Sequence, residues 1–329
     1  MESSNKLVSE YQYLIIGGTT KAATTSLFSY LGDHPSICAA SYKETRFFLS
    51  KDYPLPSKYR YNGDVEEYNL LFSQCKENQL RLESTPDYLY CSSALENIGE
   101  LLPNAKLIFS LREPISRIIS WYRFAVQIGR LPNSLSIDEY VEQLFEIAEG
   151  MQNDNTTQEY DANSKEDIEH AQFMQVLSQG RYAIYLKDYI DHIGKDRIHT
   201  ILYEDLSKNP LNVMKDLCQF AELDSTFFDD YTFQVTNRTE TMRNPDFHQK
   251  YRSLRFQVRR WTHNKPVIHK TLRAMRRGFE PLYMRLNTRS AERVTLSENT
   301  QKRLVDYYKQ DVDELAGLLD KQLPWEPFI

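Results

Sequence analysis

A lysine and two threonines lie in a segment of small residues between an apolar run and a helical pattern. Lys21 is followed by Ala22 and Ala23 and then by Thr24 and Thr25. Small residues let the backbone close around a phosphate group, and the first N–H groups of a helix then point at it. Lysine adds a positive charge, and threonines add hydroxyl donors. The segment predicts an anion-binding loop; the alternative is an ordinary strand-to-helix turn with a threonine cap.

A second residue that could bind phosphate follows another apolar run. Arg112 comes directly after AKLIFSL, and Ser120 lies eight residues further along the chain. A guanidinium can bind a phosphate through two parallel hydrogen bonds, and a serine can add a hydroxyl. The alternative is that Arg112 pairs with Glu113 or another acid while Ser120 faces solvent.

A carboxylate between two bases lies in the segment KETRFF. Glu44 could act as a general base, with Lys43 and Arg46 beside it. The alternative is a solvated run of charges, followed by Phe47 and Phe48 as core residues.

The first two segments each have the pattern of a strand followed by a helix. QYLII is closed by two glycines, and apolar residues at helical spacing follow. After AKLIFSL, Pro114 suits the first turn of a second helix. RIHTILYEDL predicts a third strand with a helix after it. Alternating strands and helices predict an α/β fold with a central parallel sheet, whose carboxyl edge would carry the ligand-binding residues.

Composition limits the class of protein. The 329 residues are 41% hydrophobic with a net charge of -6, which excludes a wholly disordered chain and a basic nucleic-acid binder. We expect a single domain over residues 1–329.

Residues 250–293 hold 13 Lys and Arg against two acidic residues. They predict a basic helical segment on the acceptor side, a lid or a peripheral membrane contact, or else a solvated helical face.

The cysteines and the apolar runs predict a cytoplasmic location. Cys38, Cys75, Cys91 and Cys218 are far apart, with no CxxC motif and no nearby pair of histidines. This spacing favours reduced thiols over a disulfide framework or a zinc site. No stretch approaches the roughly 18 apolar residues of a membrane span, and the first residues lack the pattern of a secretory signal.

Together the motifs resemble the sulfotransferases that use 3'-phosphoadenosine 5'-phosphosulfate (PAPS). TTKAATTSL resembles their 5'-phosphosulfate loop, and LREPISRIISWY is similar to their 3'-phosphate element. KETRFF resembles the segment that carries the catalytic glutamate in the carbohydrate, heparan-sulfate-type branch, and RLESTPDYL resembles an acidic segment of that branch. The later GRYAIYLKDYIDHIGKDRIHTILYEDL is similar to bacterial members. The resemblance runs, with gaps, from about Tyr13 to Trp325. It implies a single P-loop-like domain related in shape to nucleotide kinases.

The resemblance also implies a role for each matched residue. Lys21 would stabilise charge on the leaving phosphate, Arg112 and Ser120 would hold the 3'-phosphate, and Glu44 would take the acceptor proton. Arg289, in LNTRSAER, would be a further 3'-phosphate contact. The rest of the donor loop would be Thr20, Ala22, Ala23, Thr24, Thr25 and Ser26.

Three positions depart from the family pattern. Ala23 stands where the loop usually has glycine. Ser84 stands where heparan-type enzymes carry lysine, and Arg46 where they often carry histidine or glutamine. Because the last two would touch the acceptor, the resemblance leaves a glycan, a lipid and a carrier-bound acyl chain open as acceptors. It implies no metal and, without a luminal anchor, a bacterial-type protein.

Two further functions stay open. One is a small-molecule kinase with an atypical phosphate loop, although GxxxxGK[ST] places lysine next to the hydroxyl residue and here Lys21 precedes the small residues. The other is a homologue that binds the nucleotide without transferring the group.

Overall fold

A computed structural model of the chain describes residues 7–53, 55, 57–128, 130–153, 175–233, 241–242, 288–289 and 294–328. The chain divides into two compact units. The first comprises Met1–Arg117, Leu144–Asn237 and Gln301–Ile329, and the second Ile118–Gln143 and Arg238–Thr300. The basic segment 250–293 lies outside the described residues except for Thr288–Arg289. The expectation of one domain over the whole chain stays a prediction.

A five-stranded parallel sheet forms the centre of the first unit, which confirms the predicted α/β fold. Its order is β2-β3-β1-β4-β5, and every neighbouring pair is parallel. The strands are β1 (Tyr13–Gly18), β2 (Ile37–Ala39), β3 (Leu80–Ser84), β4 (Ala105–Leu111) and β5 (Ile198–Leu202). All five strands therefore end at one edge of the sheet.

Helices connect and flank these strands. They are α1 (Thr24–Gly32), α2 (Ser92–Leu101), α3 (Pro114–Gln127), α4 (Ile137–Asn153), α5 (Tyr182–Ile193), α6 (Tyr203–Lys208), α7 (Pro210–Ala221) and α8 (Glu298–Leu319). Short 3-10 helices lie at Val8–Glu10, Val65–Phe72, Pro86–Tyr90, Ser178–Gly180, Lys195–Arg197, Ser225–Phe228 and Glu326–Phe328. No helix among the described residues is both long and apolar enough to cross a bilayer.

The central strand β1 is buried on both faces, as a strand inside a parallel α/β sheet must be. Leu14 and Ile16 join the apolar cluster formed with α1 and α7, and both are fully buried. A side chain at Gly17 would place its Cβ atom 2.8 Å from the Phe109 ring on β4. Glycine is therefore required where β1 passes this ring.

The second unit contributes an antiparallel pair of short strands, β6 (Thr241–Met242) and β7 (Thr288–Arg289), in which Thr241 pairs with Arg289. Within the same unit, the hydroxyl of Tyr122 donates a hydrogen bond to the carbonyl of Leu135 at 2.7 Å.

The expectation of four reduced thiols is wrong for two of them. Cys38 and Cys75 form a disulfide with a Cα–Cα distance of 5.6 Å, while Cys91 and Cys218 are free and buried. Sequence spacing could not show this pairing because the fold brings the two cysteines together. Nearby, the Ser41 amide donates to the carbonyl of Leu71 at 2.8 Å. That contact joins the chain after β2 to the 3-10 helix that precedes Cys75.

Candidate functional site

The loop between β1 and α1 is attached to the neighbouring strand β4. The Thr19 amide donates to the carbonyl of Ser110 at 2.8 Å, and the Ser110 hydroxyl donates to the carbonyl of Ala22 at 2.6 Å. Lys21 and Ala23 have left-handed backbone angles, with φ of 74° and 61°. Glycine adopts such angles with the least strain, so alanine at position 23 carries a conformational cost that the glycine of the usual loop would not.

The loop leads directly into α1, which starts at Thr24. The first N–H groups of a helix have no acceptor inside it, so they remain available to an anion. The Ala22 amide instead donates to the carbonyl of Thr19 at 3.2 Å, within the loop. The hydroxyl residues differ in exposure: Thr24 and Ser26 are buried, whereas Thr20 and Thr25 are half-buried.

Lys21 and Arg112 converge at the carboxyl edge of the sheet. An Nη atom of Arg112 donates to the carbonyl of Lys21 at 3.2 Å. Burial, and then the charge of Arg112, lower the pKa of Lys21 to about 8. Two basic residues held this close favour a negatively charged ligand, because a ligand anion offsets their mutual repulsion.

Arg112 is positioned by two tyrosines. Its guanidinium lies 4.3 Å from the centre of the Tyr203 ring, and the Tyr182 hydroxyl donates to its carbonyl at 2.8 Å. Its Nε atom is buried and has no hydrogen-bond partner among the described residues. The neighbouring Glu113 caps α3. Its carboxylate accepts hydrogen bonds from the amides of Ile115 and Ser116 at 2.7 and 2.6 Å.

Two expected 3'-phosphate residues lie on other elements. Ser120 is half-buried on α3, and the structure assigns it to the second unit. Arg289 is the last residue of β7, also in the second unit. Their roles stay predictions.

Glu44 is held between two bases. Its carboxylate oxygens lie 2.9 Å from Lys43 Nζ and 2.9 Å from an Nη atom of Arg46. Burial raises the pKa of Glu44, but Lys43 and Arg46 outweigh it and hold this pKa below its usual range. Glu44 is therefore ionised, and able to accept a proton, at neutral pH.

The backbone around Glu44 is bound to the end of β3. The Glu44 amide donates to the carbonyl of Ser84 at 2.8 Å, and the Arg46 amide donates to the hydroxyl of Thr85 at 3.0 Å. Because Ser84 also pairs with Ile16 of β1, the structure brings the Glu44 segment to the same edge as the donor loop. The Ser84 side chain itself is fully buried.

Sequence reasoning missed the residue that holds this segment together. Glu83 is fully buried, and four hydroxyl groups donate to its carboxylate, from Thr45, Tyr68, Thr85 and Tyr88. The available signal was an acid inside the apolar strand LRLES, because a buried carboxylate needs several donors. Burial raises the pKa of Glu83, although these hydrogen bonds oppose the rise.

The described residues bring together no group of three or more His, Cys, Asp or Glu side chains that could hold a metal ion. The expectation of a metal-free reaction stays a prediction.

The geometry of the sheet edge by itself defines a class of protein. A phosphate-type loop after the central strand and a second base after the neighbouring strand are the features of a P-loop-like α/β protein that binds an anionic ligand at the sheet edge.

The chain belongs to the sulfotransferase domain family, whose model matches residues 12–278. It is similar to the membrane-associated sulfotransferase kil1 of Dictyostelium discoideum, with 27% identity covering 64% of this chain and 55% of that protein. It is also similar to the bifunctional heparan sulfate N-deacetylase/N-sulfotransferase 1 of Caenorhabditis briggsae, with 25% identity covering 64% of this chain and 22% of that protein. The chain thus spans about half the length of the first relative and about a fifth of the second.

A solved structure has the same fold. The crystal structure of a sulfotransferase from Alicyclobacillus acidocaldarius superimposes with a TM-score of 0.62 at 19% identity. The match covers 97% of this chain and 100% of that one.

Proposed function

We propose that this chain is a PAPS-dependent sulfotransferase that moves a sulfuryl group to a hydroxyl of a carbohydrate or another alcohol. The observation that carries the proposal is the convergence of Lys21 and Arg112, with the Arg112 guanidinium 3.2 Å from the carbonyl of Lys21. Two basic residues at this edge favour an anionic ligand, and the family to which the chain belongs is one of sulfuryl transfer.

The residues at the edge fit such a donor. Lys21 is largely removed from solvent, so an anionic group beside it would restore the charged form that burial and Arg112 disfavour. The buried Nε donor of Arg112 has no partner in the part of the chain that the structure describes, and the second phosphate could accept a hydrogen bond from it. We therefore assign Lys21 and the start of α1 to the 5'-phosphosulfate and Arg112 to the 3'-phosphate. Ser120 and Arg289 remain proposed partners of the latter.

The donor would supply a sulfuryl group and a phosphate leaving group, and the chain would supply charge and orientation. Lys21 would stabilise the negative charge that develops on the leaving phosphate, where losing one preorganised donor typically costs about 10²–10³ in kcat. Glu44 would accept the acceptor proton, a contribution of roughly 10²–10⁴-fold.

The acceptor would bind on the basic surface around Glu44. Lys43 and Arg46 flank Glu44, and Lys58 lies near the neighbouring Tyr42, so an acceptor with acidic groups would suit this surface. Relatives named as heparan sulfate sulfotransferases support a glycan. A lipid or a carrier-bound acyl chain stays possible on the same chemistry, and Ser84 leaves a buried hydroxyl where the heparan branch has lysine.

The test combines binding and turnover. Thermal shifts are measured with 3'-phosphoadenosine 5'-phosphate and with ATP and magnesium, because a ligand that binds the folded state raises its stability by RT ln(1 + [L]/Kd). Release of the bisphosphate from PAPS is then followed over a panel of hydroxyl acceptors, and separately over N-desulfated heparan, whose free amine is an alternative acceptor. Lys21→Ala should abolish turnover, whereas the matched control Lys208→Ala, at an exposed site on α6, should not.

The other outcomes would favour an alternative function or exclude the proposed role of Lys21. A shift with ATP alone would point to the kinase. A shift with the bisphosphate but no turnover on any acceptor would point to a binding homologue without transfer. Wild-type turnover in Lys21→Ala would remove Lys21 from the mechanism.

A further inference from the structure

A basic side chain from another part of the chain lies beside the acceptor segment, residues 42–48 (YKETRFF). Lys58 is exposed, and its Nζ atom lies 4.6 Å from the centre of the Tyr59 ring. Both residues belong to the 57–60 segment (SKYR). The negative face of an aromatic ring attracts an ammonium group, so the ring restricts where the long lysine side chain lies.

A hydroxyl group attaches the 57–60 segment to the backbone next to Glu44. The Ser57 hydroxyl lies 2.7 Å from the carbonyl oxygen of Thr45 and 2.5 Å from that of Tyr59, and it can donate to either. Thr45 directly follows Glu44 in the chain. The Ser57 hydroxyl therefore joins the backbone of Tyr59 to the backbone beside the proposed general base.

Contacts of Arg60 and Tyr61 fix the end of the 57–60 segment. The Tyr61 amide donates to the carbonyl of Phe47, in the acceptor segment, at 2.8 Å. The Arg60 guanidinium donates to four backbone carbonyls, those of Ser50, Lys51, Tyr53 and Leu55. Lys58 and Tyr59 are thus held against the acceptor segment by hydrogen bonds on both sides of them.

Tyr42 also links Lys58 to the acceptor segment. Burial raises the pKa of the Tyr42 hydroxyl, and the charge of Lys58 opposes this rise. The oxygen of this hydroxyl is buried and has no hydrogen-bond partner among the described residues. Lys58 therefore lies near a polar group whose hydrogen-bonding capacity the described part of the chain leaves unused.

Lys58 differs from the other two bases near Glu44 in its charge partners. Lys43 and Arg46 each lie 2.9 Å from the Glu44 carboxylate, which offsets their charge. Within the described residues no carboxylate lies at ion-pair distance from Lys58, and interaction with Tyr59 raises the pKa of Lys58. Lys58 is therefore charged at neutral pH, and the excess positive charge of this surface is located there.

We propose that Lys58 and Tyr59 form a recognition site for an anionic group of the acceptor, a carboxylate or sulfate carried near the hydroxyl that receives the sulfuryl group. The inference rests on the proposed sulfuryl transfer and adds the residues that select the acceptor. Lys58 would bind the anionic group, Tyr59 would hold the ammonium in place, and Ser57 would set the distance from this site to Glu44. A neutral alcohol could react at Glu44 without this contact, so the site acts on binding and not on the chemical step.

The first test measures binding and needs no turnover. Isothermal titration calorimetry, with 3'-phosphoadenosine 5'-phosphate present, compares a polyuronate oligosaccharide with its uncharged, carboxyl-reduced form. The wild-type chain should bind the acidic form more tightly, by a margin that shrinks as salt is added. Lys58→Glu should weaken binding of the acidic form about tenfold or more, and that of the neutral form by less than about twofold. Equal affinity of the wild-type chain for the two forms would overturn the proposal.

Lys302→Glu is the matched control. Lys302 is exposed on α8, so this variant has the same change in net charge at another place. Its affinity for the acidic oligosaccharide should stay within about twofold of the wild-type value, because salt screens distant charges. Equal losses in Lys58→Glu and Lys302→Glu would show that only net charge matters, and would also overturn the proposal.

The second test separates recognition from chemistry. Turnover is measured with PAPS as donor and with the same pair of acidic and neutral acceptors. Lys58→Glu should raise KM for the acidic acceptor about tenfold or more, leave kcat within about twofold, and leave KM for PAPS and for the neutral acceptor unchanged. Tyr59→Leu should raise KM for the acidic acceptor by about two- to fivefold, because the ammonium loses its ring.

The two tests distinguish failure of this site from failure of the proposed function. An unchanged KM for the acidic acceptor in Lys58→Glu would refute the recognition site while leaving sulfuryl transfer intact. If the wild-type chain turns over no acceptor but its binding of the acidic oligosaccharide depends on Lys58, the proposed function is refuted and the anion site stands.

Discussion

At the scale of single residues, the site is defined by charges that are close to one another and partly withdrawn from water. The low pKa of Lys21 has two causes, burial and Arg112, and an anionic ligand would act against both of them. The protonation of Lys21 and the binding of the nucleotide are therefore linked, so the affinity for the nucleotide must depend on pH.

The dependence has a definite sign. Bound nucleotide favours protonated Lys21, so its pKa in the complex must exceed the value of about 8 in the free protein. The affinity for 3'-phosphoadenosine 5'-phosphate should be highest near pH 7 and should fall up to about tenfold per pH unit above 8. Isothermal titration calorimetry at pH 7, 8, 9 and 9.5 measures it.

Lys21→Arg is the matched control for this prediction. Arginine stays charged throughout the range, so any affinity that the variant keeps should not change with pH. An equally flat response in the wild-type chain would mean that Lys21 does not contact the ligand.

At the scale of elements, β3 connects the donor loop to the acceptor segment. It pairs with β1 on one side, and Glu83 within it accepts the hydroxyl of Thr45, the residue that follows Glu44. A strand usually contributes apolar contacts to such an edge. Here a buried carboxylate fixes the backbone that carries a proposed catalytic group.

Glu83→Gln tests this connection. The amide keeps the shape of the side chain but replaces one acceptor with an NH2 group that must face hydroxyl donors. We expect the free energy of unfolding to fall by about 2–4 kcal/mol, the range for breaking a buried hydrogen-bonded charge network. Urea titration followed by tryptophan fluorescence measures the change.

Glu96→Gln provides the control, because Glu96 is exposed on α2 and should change stability by less than about 0.5 kcal/mol. If Glu83→Gln were as stable as Glu96→Gln, the hydroxyl network would not hold the segment.

The elements also show what the sequence could and could not predict. The apolar runs of β1 and β4 and the helices after them were predicted, because a buried strand in a parallel sheet needs such a run. β3 was missed because Arg81 and Glu83 interrupt its apolar pattern. Their charges are tolerated only through distant partners: Arg81 donates to the hydroxyl of Tyr13 at 3.2 Å and to Asn69 Oδ1 at 2.6 Å.

In the candidate site, too, the residues of local motifs could be predicted, and those that only the fold brings together could not. Lys21, Arg112 and Glu44 could be found because each stands in a local motif. Glu83 and the tyrosines that donate to it could not, because their relevance comes from contacts that only the fold creates. Thr45, for instance, donates to the carboxylate of Glu83 across 38 positions of sequence.

At the scale of the whole molecule, the disulfide joins the edge strand β2, which carries Cys38, to the chain that precedes β3. Cys38 and Cys75 are 37 residues apart, so the bond closes a long loop in the unfolded chain. A cross-link over such a loop is expected to contribute about 3–4 kcal/mol to stability in the chain-entropy model. The predicted cytoplasmic location would expose this bond to a reducing environment, and that location stays a prediction.

The contribution can be measured by paired melting curves. Dithiothreitol should lower the melting temperature of the wild-type chain but leave that of the Cys38→Ser/Cys75→Ser double variant unchanged. In the absence of reductant, the double variant should melt near the temperature of the reduced wild-type chain. Equal melting temperatures for oxidised and reduced wild-type chains would show that the bond adds no stability.

The hydrogen bond between Arg112 and the carbonyl of Lys21 has one more consequence. It ties the guanidinium assigned to one phosphate to the backbone assigned to the other. A ligand that engages the first group would order the second, so a donor with both phosphates would bind with the avidity of a bivalent ligand. A nucleotide with one phosphate would order the same loop backbone at Lys21 but would form contacts with only one of the two basic residues. The sheet edge would then distinguish nucleotides by whether they carry both phosphates. It would select the bisphosphate because the two phosphates bind cooperatively.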